Sequence, residues 1–168
     1  MVMISLEELL SARDARAAHQ RELLAAWPGC TLVCLTVQLP GPVKRNADSL
    51  VIGGAGLGAL LDRFGSTLRH VQVRDLETGY EAYLLLPLPE KMVKRICCEV
   101  EEQHPLGRLM DIDVIGPGLA PVSREDLGLE PRRCLLCDNE ARYCMRARTH
   151  SHEELLSRIH EMTDAFVH

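Results

Sequence analysis

The sequence is poor in aromatic residues, which fill 4% of its 168 positions, and it has no excess of basic over acidic side chains. With 19 Lys and Arg against 24 Asp and Glu, its formal net charge is -5 at pH 7. It therefore offers few rings on which bases could stack, and no general basic surface for a phosphate backbone. These two shortages exclude a typical nucleic-acid-binding protein.

A membrane-spanning run, a secretory leader and a disulfide framework are also missing. No apolar stretch reaches the length of a bilayer span, and the opening residues MVMISLEELL lack the basic start and cleavage site of a signal peptide. Seven cysteines, an odd number, suit a reducing compartment better than paired disulfides. We therefore expect a cytoplasmic protein that does not bind membranes.

What is present favours one domain, residues 1–168, large enough to bury a single core. Capping boxes at residues 5–8 and 151–154 predict the first and last helices. Between them, the apolar patterns predict strands at residues 30–39, 68–74, 80–86 and 105–115, and helices at residues 50–64 and 92–103. The fold class expected is α+β, with a mixed or antiparallel sheet and flanking helices.

The first helix has a mixed inward face. Its helical period predicts an apolar stripe through Leu6, Leu9 and Leu10, but the same stripe continues through Arg13 and Gln20. Either these long side chains lie at the edge of the stripe with their heads in water, or the helix lines a polar pocket. The pattern alone leaves both readings open.

Two carboxylates interrupt the apolar strand in PLGRLMDIDVI, residues 105–115. Residues two apart in a strand point to the same face, so Asp111 and Asp113 should lie side by side while Ile112 faces the core. Two like charges repel unless a cation joins them, and oxygen ligands on a rigid strand suit Mg²⁺ with phosphate. The alternative is a solvated outer face, on a hairpin whose second strand would run from about Leu119 to Ser123.

A glycine run offers a rival function. Gly54, Gly56 and Gly58 fit a relaxed dinucleotide fingerprint, and Asp75 lies near the spacing of a ribose-binding acid. The rival is an NAD(P)-binding oxidoreductase. The other reading is that the glycines only allow a helix to pack closely.

A third group of residues has zinc-ligand spacing. Cys134, Cys137, Cys144 and His150 form C-x2-C-x6-C-x5-H, which supplies four nitrogen and sulfur ligands. Buried free thiols or a reduced dithiol explain the spacing equally well.

Four stretches of the chain are distinctive: LLSARDARAAHQ at 9–20, PGPVK at 40–44, HPLGRLMDIDV at 104–114, and PRRCLLC at 131–137, followed by Cys144, Arg146 and His150. Together and in this order they resemble one family, the apo-citrate lyase phosphoribosyl-dephospho-CoA transferases, also called holo-citrate lyase synthases. The resemblance spans most of the chain and does not include the glycine run.

The resemblance implies transfer of the 2'-(5''-phosphoribosyl)-3'-dephospho-CoA group from its triphosphate precursor to a serine of the citrate lyase acyl carrier protein (gamma) subunit. Diphosphate would leave, as in nucleotidyltransferase chemistry, and the resemblance also suggests a nucleotidyltransferase-like fold. Charge on the triphosphate must then be neutralised, which Mg²⁺ on Asp111 and Asp113 and nearby basic side chains can do. One aspartate is also a candidate to accept the serine proton. The basic candidates are Arg108 beside the aspartates, and Arg13, Lys44, Arg132 and Arg133 for substrate binding. The alternative from another class is a non-catalytic, zinc-containing module that only escorts the carrier protein.

Overall fold

Five α-helices surround a four-stranded antiparallel sheet in the computed structural model, which describes residues 1–168. The helices are α1 Leu6–Ala26, α2 Ala47–Phe64, α3 Glu90–Gln103, α4 Ala141–Ala147 and α5 His152–Val167. The strands are β1 Thr31–Thr36, β2 His70–Leu76, β3 Gly79–Leu86 and β4 Asp111–Ile115, in the order β2-β3-β1-β4. This architecture confirms the predicted α+β class. None of the helices combines the length and apolar character needed to cross a membrane.

The larger core lies on the face of the sheet that α2 and α3 cover. Alternate residues of the strands, such as Leu35, Leu84 and Val114, point to this face and pack against helix residues that include Ile52 and Cys97. Residues of α5 also reach this core. The opposite face of the sheet is covered as well, so the side chains of the two central strands, β1 and β3, are buried on both faces and are mostly apolar.

The second face of the sheet is covered by α1 and is divided into an apolar and a polar half. Leu23 and Leu24, near the end of α1, pack on Leu32, Cys34 and strand β3 in a smaller core. Towards the other end of α1, the same sheet face carries the polar residues Thr36, Glu81 and Asp111, which the strand register places side by side. This division creates the site described below.

Both predicted capping boxes are present. Ser5 and Ser151 accept hydrogen bonds from the amides of Glu8 and Glu154, and each glutamate side chain returns to the cap residue's amide. The predicted apolar stripe of α1 is wrong in its first turns, since Leu6 is 71% and Leu10 is 47% exposed. The reason is that this half of α1 overhangs a cleft, and no core lies beneath it.

The environment of β4 also differs from the prediction. The expected partner strand at 119–123 is reduced to a single bridge between Ile115 and Pro121 and a bond from the Val122 amide to the Val114 carbonyl, at 2.9 Å. The strand that pairs with β4 is β1, which is distant from it in sequence. β4 is therefore the outer strand of the sheet.

The glycine run lies inside α2, and residues 50–52 just before it are helical and do not form a strand. The dinucleotide interpretation is therefore wrong. That fingerprint needs the glycines at a turn between strand and helix, where the backbone meets a diphosphate. Here a Cβ on Gly53 would come 2.6 Å from the Tyr80 ring, and one on Gly56 would come 2.9 Å from Leu35. These glycines let the helix approach the sheet closely. Asp75 instead pairs with Arg45, Nε to Oδ1 2.8 Å.

Candidate functional site

An open cleft of about 450 Å³ lies between the first half of α1 and the polar half of the sheet. Its polar lining residues are Arg13, Arg16, Thr36, Gln38, Lys44, Thr78, Tyr80, Glu81 and Asp113. A neighbouring depression of similar volume, beyond Arg16 and Glu81, contains neither aspartate of the D-x-D pair. We therefore place the candidate site in the first cleft, where basic and acidic side chains from four segments of the chain meet.

The two aspartates are oriented as the strand period predicts. Ile112 and Val114 are buried in the main core, whereas Asp111 and Asp113 point to the α1 face. Asp111 lies at the edge of the cleft and accepts a hydrogen bond from Gln38, Nε2 to Oδ2 2.9 Å. Asp113 lines the cleft and accepts no hydrogen bond from the protein.

The Asp113 carboxylate is accessible to water but is partly desolvated by neighbouring protein atoms. Its side chain is exposed at the bottom of a concave surface, so protein atoms displace much of the bulk solvent around it. This desolvation, followed by repulsion from Asp111, raises the pKa of Asp113 to about 6. Lys94 and Arg16 act in the opposite direction. The pair is a place where a bound cation would be stabilised.

Three basic side chains enter the cleft. Arg13 forms no ion pair or hydrogen bond with the protein, and Arg16 has only a loose ion pair to Glu81, Nη1 to Oε2 3.7 Å. Lys44 donates to the Leu39 carbonyl at 2.6 Å, and burial lowers its pKa. Arg13 and Lys44 were predicted as substrate-binding residues, and the structure brings them to the same cleft as Asp113. Arg13 lines this cleft, as the interpretation of α1 as a helix beside a polar pocket predicts, whereas Gln20 is not among the lining residues.

The sequence prediction missed Arg16 and Glu81. Glu81 is 3% exposed on β3, accepts a hydrogen bond from the Tyr83 hydroxyl, and faces the cleft. The signals were present: Arg16 lies one helical turn after Arg13, and Glu81 is the only charged residue in the buried strand GYEAYLLL. A lone charge in a fully buried strand needs a partner, and here that partner is Arg16.

The other three predicted arginines do not line this cleft. Arg132 donates to the carbonyls of Gly107, Arg108 and Met110 and pairs with Glu101, while Arg108 donates from Nε to the Arg133 carbonyl at 2.7 Å. Arg133 binds the Asp138 carbonyl and Glu130. These guanidinium groups are already engaged with the backbone and with carboxylates of the chain.

The four predicted zinc ligands come together in one cluster, here called the Cys-His cluster: Cys134, Cys137, Cys144 and His150. Their ligand atoms all lie within 4.8 Å of one another, and the sulfurs of Cys137 and Cys144 are 3.5 Å apart. Thiolates of a tetrahedral zinc site, with Zn–S near 2.3 Å, lie roughly 3.8 Å apart. The cluster therefore has the composition and dimensions to bind a metal ion such as zinc.

Two further features of the Cys-His cluster suit a metal. The Nε2 atom of His150 is buried with no hydrogen-bond partner, while Nδ1 lies 3.9 Å from the Glu154 carboxylate, which can orient the ring. A backbone contact with Asn139, followed by the neighbouring His150 and Cys144, lowers the pKa of the Cys137 thiol to about 6. An imidazole nitrogen without a protein partner, next to a thiol whose pKa is lowered, is suited to bind a metal ion.

Comparisons with known proteins show what this chain is similar to. A family model described as apo-citrate lyase phosphoribosyl-dephospho-CoA transferase matches residues 4–166. A protein of that description from Escherichia coli is 39% identical over 159 residues, 93% of this chain and 86% of its own length. A Vibrio cholerae protein, described as a probable member, is 41% identical over 164 residues, 95% of this chain and 92% of its own. Protein CitXG of Haemophilus influenzae is 39% identical over 162 residues, which are 95% of this chain and 35% of that protein.

Proposed function

Because this chain belongs to the apo-citrate lyase phosphoribosyl-dephospho-CoA transferase family, we propose that the α1 cleft is where it carries out this transfer. The chain is a transferase that attaches the citrate lyase prosthetic group. It is therefore not the non-catalytic escort considered above. The observation that supports the location is the convergence of Asp113, Arg13, Arg16 and Lys44 on one open cleft.

The cleft suits a polyphosphate donor. We infer that the donor is the triphosphate precursor of the prosthetic group, triphosphoribosyl-dephospho-CoA, and that diphosphate leaves. Arg13 and Arg16 offer guanidinium groups that can bind phosphate oxygens in pairs, and Lys44 adds a compact positive charge. Only Lys44 makes a close hydrogen bond within the protein, so the three cations retain most of their donors for a ligand.

The acceptor is a serine of the acyl carrier subunit of apo-citrate lyase. Its hydroxyl oxygen forms a bond to the innermost phosphorus while the bond from that phosphorus to diphosphate breaks, which leaves a phosphodiester. We assign the serine proton to Asp113, because its carboxylate faces the cleft and accepts no protein hydrogen bond, whereas Asp111 is held by Gln38.

The aspartate pair fits a divalent cation. Two carboxylates on one strand face supply hard oxygen ligands, and Mg²⁺ is usually bound by one or two carboxylates together with substrate phosphates. Asp111 and Asp113 would hold Mg²⁺, which would supply charge neutralisation on the triphosphate. Gln38 keeps Asp111 in place, and Arg16 limits the repulsion around Asp113.

Transfer can be tested by incubating the purified protein with apo-carrier and triphosphoribosyl-dephospho-CoA, followed by intact-mass measurement of the carrier. We expect the mass of one prosthetic group, mapped by peptide analysis to a serine, only when Mg²⁺ is added. The control omits Mg²⁺ and uses no chelator, so that the Cys-His cluster is undisturbed. Full transfer without added divalent cation would contradict the magnesium assignment.

For the Cys-His cluster, we propose that the metal is zinc in a structural role. Four protein ligands fill a tetrahedral shell and leave no open position for a substrate. The ligands come from a segment with little regular structure, residues 131–150, in which α4 is the only α-helix. Such a segment buries few apolar side chains, so a metal would supply much of its stability.

Zinc binding is measured by elemental analysis of protein purified without chelator. We expect about one zinc per chain in the wild type and almost none in Cys144→Ser, because removing one thiolate opens the shell. Cys98→Ala, which removes a buried thiol on α3 outside the cluster, is the matched control and should keep its zinc. Substoichiometric zinc in every preparation would refute the assignment.

The roles of Arg108, Arg132 and Arg133 in binding phosphates stay predictions. None of them lines the cleft, and their hydrogen bonds would have to break before they could contact the donor.

A further inference from the structure

The free edge of the aspartate strand is held by two cations from outside the sheet. Arg132 donates from Nη1 to the carbonyl of Met110, 2.8 Å, and Lys94 donates from Nζ to the carbonyl of Ile112, 3.0 Å. These carbonyls lie just before and between the two aspartates. The outward backbone carbonyls of an edge strand are normally hydrogen-bonded only to water. The two cations therefore fix a backbone that has no neighbouring strand on this side.

Arg132 also fixes the turn that leads into β4. Its Nη2 atom donates to the carbonyls of Gly107, 3.2 Å, and Arg108, 2.6 Å, which belong to a short 3-10 helix. Nη1 lies 3.3 Å from the Glu101 carboxylate, whose side chain is 3% exposed. A planar guanidinium thus bridges three carbonyls and a buried carboxylate, an arrangement that a lysine cannot reproduce.

Arg132 lies in the same folded segment as the Cys-His cluster. It precedes Cys134 by two residues, and its own carbonyl accepts a hydrogen bond from the Ala141 amide at 2.9 Å. The Cys134 amide in turn donates to the Asn139 carbonyl at 2.7 Å. The backbone of Arg132 is therefore part of the folded loop that the cluster closes.

We propose that Arg132 is a positioning residue through which the Cys-His cluster holds the strand that carries Asp111 and Asp113. The proposal rests on the proposed function of those aspartates. When the cluster binds metal, the loop is rigid and presents the guanidinium to the carbonyls before β4. When the cluster is empty, Arg132 is attached to a loosened loop and the strand loses this support. Occupancy of a site outside the cleft then determines the geometry within it.

The test compares Arg132→Met with Arg142→Met. Arg142 is an exposed residue of α4, in the same segment of the chain, and it makes no ion pair. For R132M we expect kcat to fall roughly 100-fold, the order of loss produced by about 1 Å of misplacement, with KM for the triphosphate donor little changed. Zinc content should stay at the wild-type level. Hydrogen exchange at residues 110–114 should accelerate in R132M only.

A different result would identify Arg132 as a phosphate ligand. In that case KM for the donor would rise, and hydrogen exchange at residues 110–114 would not change, which overturns the positioning role. Near wild-type kcat in R132M would overturn it as well. The variant Asp113→Asn tests the proposed role of the aspartates separately from the role of Arg132. Normal transfer by D113N would refute the proposed function, and the hydrogen-exchange result for R132M would still stand.

The wild-type protein provides a second arm that needs no substitution at Arg132. After removal of zinc by a chelator and dialysis, we expect faster exchange at residues 110–114 and loss of transfer measured with Mg²⁺ present. Exchange in β1 and β3 should stay slow, and added Zn²⁺ should restore both properties. If zinc removal changes neither exchange at residues 110–114 nor transfer, the connection between the cluster and the strand is wrong.

Discussion

Replacing Asp113 with Asn is expected to lower the rate of transfer to the carrier by roughly a thousandfold, because it removes an anionic ligand and the proposed proton acceptor at once. Asp111→Asn should cause a loss of similar order. Both changes keep the size of the side chain, and neither carboxylate is part of the apolar core. Initial rates from the carrier mass shift, with saturating donor and carrier, measure the effect.

Asp62→Asn is the matched control for these two variants. Asp62 is exposed on α2 and forms no ion pair or hydrogen bond, so the change should leave the rate at the wild-type value. Circular dichroism should show the same helix content for all three variants. Near wild-type transfer by D111N or D113N would remove the assignment of the aspartate pair.

Replacing Arg16 with Met is expected to lower kcat/KM for the triphosphate donor by roughly 100-fold. Charge-assisted hydrogen bonds to phosphate contribute about 1.5–3 kcal/mol each, and Arg16 has one weak competitor, Glu81, at 3.7 Å. Arg16→Lys should recover only part of the loss, because an ammonium group cannot bind two oxygens side by side. Saturation curves for the donor, at fixed carrier concentration, measure both variants.

Arg21→Met serves as the control on the same helix, since Arg21 is exposed and makes no ion pair. A complication is that Glu81 loses its cationic partner in Arg16→Met and keeps only the Tyr83 hydroxyl. Thermal unfolding should therefore be recorded with the kinetics. A large change in unfolding temperature with an unchanged donor KM would show that Arg16 supports Glu81 and does not contact the donor.

The parts of the fold that sequence alone could predict are those determined by local chemistry. Ser5 and Ser151 start helices because their capping boxes satisfy amides within one turn, and this needs no tertiary contact. Leu6 and Leu10 were assigned to a core because period alone does not reveal whether anything covers a helix face. The missing strand at 119–123 has the same cause, since β4 pairs with the distant β1.

The candidate site was predicted where one segment carries it and missed where several segments meet. The alternation of side chains in β4 was enough to place Asp111 and Asp113 on one face. The spacing of the three cysteines in residues 134–144 was enough to suggest the Cys-His cluster. Glu81 became a neighbour of this site only through the register of β3 on β1. Arg132 could not be understood from sequence, since its partners are backbone carbonyls that no side-chain pattern reveals.

The protected edge of β4 limits how the carrier subunit can approach. The outward carbonyls of Met110, Ile112 and Val114 are all taken, by Arg132, Lys94 and the Val122 amide. A visiting chain therefore cannot extend the sheet along β4 by pairing with these carbonyls, although that edge lies beside the cleft. We expect the carrier to approach the cleft without adding a strand to β4, and the same protection keeps the aspartate strand from serving as a template for amyloid-like self-association.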